Sequence, residues 1–140
     1  MTVLTASSPV METIVWLLQD AALQSAVGGR LGDDIADNTP RPLVWIEILT
    51  ETNIGGFGPG HMPEIEFRTH TFSDIGSMSE AQSINKSIVN LLIDQKDLTI
   101  TGFQQAGEIV YHQSVALRDQ ELQGVKVHEV VSEFTIRAQQ

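Results

Sequence analysis

Two stretches decide the fold: Leu43-Val-Trp-Ile-Glu-Ile-Leu-Thr50 and Glu64-Ile-Glu-Phe-Arg-Thr-His-Thr71. The second alternates with a period of two, so Ile65, Phe67 and Thr69 share one side while Glu64, Glu66, Arg68 and His70 share the other. This is the pattern of a strand with one buried face and one wet face. The first stretch is rich in β-branched and aromatic residues and is apolar on both faces at its start. It predicts a strand covered on two sides, by a helix on one and by a neighbouring subunit on the other. Between them, Thr52–Pro63 holds four glycines and two prolines and reads as a flexible loop. The two strands are therefore expected to form a hairpin with a long tip.

Upstream, Ser8-Pro9 reads as a helix start, with Ser8 as cap and Pro9 in the first turn. Ile14, Leu17, Leu18 and Ala21 lie at helical spacing, so one helix is expected from Pro9 to Ser25. It should end at Gly28-Gly29, where glycine accepts the left-handed conformation that terminates helices. Leu31–Pro42 reads as a connector without regular structure. Downstream, Ser77 or Ser79 can cap a second helix ending near Asp94, with Ala81, Ile84, Ile88, Leu91 and Leu92 on its core face. Three strands follow, over Leu98–Phe103, Glu108–Leu117 and Gly124–Ala138, with turns at Gln105–Gly107 and Asp119–Glu121. Val130, Phe134 and Ile136 share one parity and Val125 and Val127 the other, which predicts a bulge or register change near Glu129. The expected fold is α+β. It is a single domain over residues 1–140, an antiparallel sheet of four to five strands with two helices on one face, in the order α-β-β-α-β-β-β.

The chain has 140 residues, no cysteine, and 18 acidic against 8 basic residues, a formal charge of −10. The missing thiols exclude a disulfide framework, a thiolate zinc site and a Cys nucleophile. The charge argues against a general nucleic-acid binder, which needs a basic footprint. There is no apolar run long enough for a membrane helix and no signal-peptide pattern, so a cytoplasmic origin is expected. Gly55-Gly-Phe-Gly-Pro-Gly60 lacks the lysine and the following helix of a phosphate loop. His70, His112 and His128 lie on expected strands and could meet if those strands are neighbours, but they read first as exposed sheet residues. The carboxylates Glu64, Glu66, Glu129 and Glu133 read as a solvated acidic face, and no catalytic nucleophile stands out. A structural or binding protein is expected, with no enzyme activity and no cofactor or metal.

Two motifs narrow this further. The first helix ends in Asp20-Ala-Ala-Leu-Gln-Ser-Ala-Val-Gly-Gly-Arg30, and Arg41-Pro-Leu-Val-Trp-Ile46 opens the first strand. Together with the order of elements, they resemble the tail terminator, or tail completion, proteins of long-tailed bacteriophages, with Leu43 standing where an aromatic is common. The resemblance implies a virion structural protein that is made in the host cytoplasm. It would form a homohexameric ring that caps the head-proximal end of the tail tube, stops tube polymerisation and docks the head connector. Its partners would be other copies of itself, the tube protein, the connector or neck protein and, in a contractile tail, the sheath protein. DNA would pass through the lumen without specific binding. Trp16, Arg30, Trp45, Ile54, Phe57, His61 and Met62 are the candidate residues for contacts between subunits or with tube and connector, although both tryptophans also read as ordinary core, and Trp45 reads so first. The alternatives are another head–tail neck or adaptor protein, or a small α+β domain that binds a ligand or a metal through the strand histidines.

Overall fold

The computed structural model describes residues 5–36, 39–54, 62–74, 78–122 and 125–140, with the side chains of 118–122 and 125–126 left aside. The elements are α1 (Ser7–Leu17), α2 (Ala21–Val27), β1 (Leu31–Gly32), β2 (Leu43–Asn53), β3 (Pro63–Ser73), α3 (Ser79–Ile93), β4 (Thr99–Ile100), β5 (Phe103–Gln105), β6 (Val110–Leu122) and β7 (Val125–Gln139). The class is α+β, as expected, but the sheet is larger and mixed. Seven strands run in the order β1-β2-β3-β7-β5-β4, with β6 alongside the first part of β7. β1 is parallel to β2 and every other pairing is antiparallel.

β3 sits at the centre, and its alternation sorts the whole sheet. Ile65 and Phe67 lie opposite Ile136 and Phe134 of β7, and Phe67 lies opposite Ile48 of β2. These side chains, with Val44 and Ile46, meet Val10, Ile14, Leu18, Leu23, Ile84, Ile88 and Leu92 of the helical layer in one core. The Phe67 and Phe134 rings stack at 5.2 Å within it. The other parity forms an open face carrying Trp45, Glu47, Arg68, His70, Glu129 and Glu133.

The first expected helix is two helices. The chain breaks after Leu17, and the Asp20 carboxylate accepts hydrogen bonds from the backbone N–H groups of Ala22 and Leu23, capping α2. A local cap thus outweighs the continuous apolar spacing. Ser8 does not cap α1. Its orphan N–H groups at Ala6 and Ser7 donate instead to the Glu51 carboxylate of β2, as does the Ser7 hydroxyl. Gly28 ends α2 with φ +60°, as anticipated.

Three other expectations change. The connector contains β1, because the carbonyl of Arg30 accepts from Val44 N–H and draws Leu31-Gly32 alongside β2. Leu98–Phe103 is not one strand but the small β4–β5 hairpin, and Leu91 is only half-buried on α3. The β6–β7 hairpin is longer than predicted: Asp119–Glu121 lie in β6 rather than in a turn. β7 itself runs in register with β3 from His128 to Arg137, and the irregularity expected near Glu129 lies in its other partner, where β6 gains a residue between Leu117 and Gln120.

α3 is pinned by a polar network as well as by apolar packing. Buried Asn85 donates to Ser114 of β6 (3.1 Å) and accepts from Ser132 of β7, and the two serines bond each other at 2.6 Å. Each of these polar groups is satisfied, so burial costs little and fixes the register of helix on sheet.

Asp20→Ala is expected to lower unfolding stability by about 1 kcal/mol, and Phe134→Ala by ~3–5 kcal/mol. Urea unfolding followed by circular dichroism measures both.

Candidate functional site

The two motif segments meet in space. Arg30 folds back so that its guanidinium occupies the place where a Cβ on Gly28 would stand, 2.5 Å away. Its Nε donates to the Pro42 carbonyl at 3.0 Å. Gly28 is therefore favoured by its positive φ, and a side chain there would also displace the Arg30 guanidinium. Arg30, expected at an interface, ties the end of α2 to the start of β2.

Trp45 is not in the core. It stands half-buried on the open face, stacked on His70 with ring centres 4.5 Å apart, and its indole N–H donates to the Asp33 carbonyl. With Leu43, Phe72 and residues 33–36 it lines a cleft of about 390 Å³. The second cover expected over the start of β2 is thus supplied in part by the chain's own connector. Trp16 is 69% exposed on α1, in a shallow cleft with Glu12, Thr13, Asp97, Leu98 and Thr99. Ile54 and Met62 close the base of the long loop, where Ile54 N–H donates to the Met62 carbonyl and Met62 N–H to the Asn53 side chain. Phe57 and His61, with the rest of Gly55–His61, lie outside the described residues. The seven candidates therefore do not form one site: Arg30 and Trp45 flank the start of β2, Ile54 and Met62 the opposite end of the hairpin, and Trp16 the helical layer.

The open face carries a cluster that sequence reasoning missed. His70, expected to be exposed, is buried between two carboxylates: Nδ1 is 2.7 Å from Glu129 and Nε2 is 3.1 Å from Glu47. The strand order produces it, because His70 pairs with Trp45 on one side and Val131 on the other, bringing glutamates from β2 and β7 to its flanks. Burial opposes the imidazolium charge and is the largest single influence, but the hydrogen bonds and charges of Glu129 and Glu47 together outweigh it and raise the His70 pKa above 6.5. Next to it, Arg68 bonds Glu133 at 2.9 Å and Arg137 bonds Glu64 at 2.8 Å. The expected acidic face is thus crossed by ion pairs, with glutamates still outnumbering the basic groups. His112 bonds Thr135, and His128 lies on the helix-facing side, so the three strand histidines do not converge. Among the described residues no group of three His, Asp or Glu side chains is placed to hold a metal ion, and no helix is long and apolar enough to cross a membrane.

A raised folded-state pKa means that His70 contributes stability that is full below the unfolded value near 6.5 and is lost as the pH rises through the folded value. The stability difference between the natural protein and His70→Gln should accordingly be largest below pH 6.5 and shrink as the pH rises through the folded-state value. Urea unfolding at several pH values measures it, and an NMR titration placing His70 below 6.5 would contradict it.

Comparison with known proteins gives a fold and not a family. No protein-family model matches the chain, and no curated protein matches it. Among solved structures the chain is similar to one from the virion of native gene transfer agent (GTA) particle, with a TM-score of 0.77 over 99% of this chain and 100% of that one. The identity between the two is 16%, so the likeness is one of architecture, extending from the first helix to the last strand.

Proposed function

We propose that this protein is a virion structural protein of the tail-terminator kind. Copies of it form a six-membered ring at the head-proximal end of a tail tube, stop tube growth and receive the head connector. The observation that carries this reading is the end-to-end likeness in fold to a chain of the GTA virion, with neither chain extending far beyond the shared architecture. The motifs at 20–30 and 41–46 support it in a second way. They are used together to lock α2, β1 and β2, which gives the resembling residues a structural use in this chain.

The charge suits the role. A channel through which DNA slides must not hold phosphates. Six copies carry a formal −60, six times −10. The open face holds Glu47, Glu64, Glu66, Glu129 and Glu133 against Arg68 and Arg137, and such a surface turned towards the lumen repels the duplex. In this reading Trp16, Ile54 and Met62 are contacts to tube, connector or neighbouring copies, and the chain performs no catalysis.

Light scattering of the purified protein, alone and with tail tubes, is expected to give a particle of about 92 kDa, six times 15.4 kDa, or a ring bound at tube ends in electron micrographs. A monomer under both conditions would sink the reading. Deleting Gly55–Gly60 is expected to leave the circular dichroism spectrum unchanged while reducing the joining of tails to heads. Normal joining would make that loop a spacer.

A further inference from the structure

Three of the seven large exposed apolar side chains of the described residues lie on β6. Val110, Tyr111 and Val115 belong to β6 and are 40–45% exposed. Leu49 belongs to β2 and Ile54 follows it, while Trp16 and Ile93 are on helices. Both strands have an outer edge with no described strand against it. β6 pairs with β7 on one side only. β1 covers β2 at Val44 and Trp45 and ends there, leaving Ile46–Leu49 beyond it. An unpaired edge flanked by apolar side chains is a template for another strand.

Bulges set the length of each edge. On β6, irregularities at Tyr111/Gln113 and Leu117/Gln120 bracket a regular stretch, Gln113–Leu117. On β2, Leu49 is itself the extra residue of the shift between Ile48 and Thr50, so the regular part ends at Ile48. Bulges twist an edge away from pairing, so these two short stretches are the segments left available.

We propose that the Gln113–Leu117 edge of one copy pairs with the Ile46–Ile48 edge of a second copy, with Leu49 flanking the contact, so that the sheet continues from subunit to subunit. This inference rests on the ring reading and supplies its interface. The two edges are different and lie on opposite sides of the sheet, which makes the contact heterologous and lets each copy offer its second edge to another, as a cyclic ring requires. A contact of β6 with β6 would instead stop at a dimer and leave the β2 edge bare.

The absence of cysteine allows a clean test. Leu49→Cys is combined in the full chain with Val115→Cys, or with Gln113→Cys, and each double variant is oxidised and run on a non-reducing gel. The expected result is a ladder of covalent oligomers reaching six from at least one double variant and no ladder from any single one. Covalent dimers from Val115→Cys or Gln113→Cys alone would overturn the proposal in favour of a β6–β6 contact. A hexameric mass in light scattering with no ladder from either pair would overturn the interface while leaving the ring. A monomer at every concentration, with tubes and without, would remove the ring reading itself.

Discussion

The alternation along β3 is the constraint on which the rest of the structure depends. A strand with period-two side chains can bury one set only if the other set stays on the opposite face, and a slip of one residue would exchange them. Because β3 lies between β2 and β7, its register aligns Ile65 and Phe67 with the apolar residues of both neighbours and so defines a single core under the helices. The same register assembles the opposite face. Arg68 meets Glu133, Glu64 meets Arg137, and His70 falls between Glu47 and Glu129. Exposed ion pairs of this kind contribute little each. The His70 cluster differs because burial strengthens the interaction of the ring with its two carboxylates.

Around this centre the connections are fixed by backbone groups that need partners. The first N–H groups of α1 are met by Glu51 from the far end of β2, those of α2 by Asp20, and the carbonyl of Arg30 by Val44 N–H. The first and last of these join the helical layer and the connector to β2, while the Asp20 cap is local to α2. The motif Val27-Gly28-Gly29-Arg30 thereby acquires a physical meaning: a helix stop, a space for a guanidinium and a parallel strand pairing compressed into four residues.

Much of this was legible before any coordinates. The strands β2 and β3, the core face of α3, the glycine stop after α2 and the α+β class follow from periodicity and from conformational preferences that act over a few residues. Most of the misread places are those where a partner distant in sequence decides: Glu51 rather than Ser8 caps α1, and β1 forms because β2 is beside it. Trp45 and His70 changed roles for the same reason: the open face places an aromatic ring and two glutamates around an imidazole that looked solvated from its own strand. The break before α2 is different, a local Asp20 cap overriding a continuous apolar spacing.

The sequence by itself determined which residues alternate, where helices must stop, that no thiol chemistry is available and that the surface is acidic, because each is a property of composition or of near neighbours along the chain. Only the tertiary structure decided the strand order, and with it which faces share a core, which carboxylates flank His70, and which edges of the sheet remain without a partner among the described residues. Strand pairing joins residues dozens of positions apart through backbone hydrogen bonds that nearly every residue can make, so the identity of the partner is set by the packing of the whole layer and not by any local pattern.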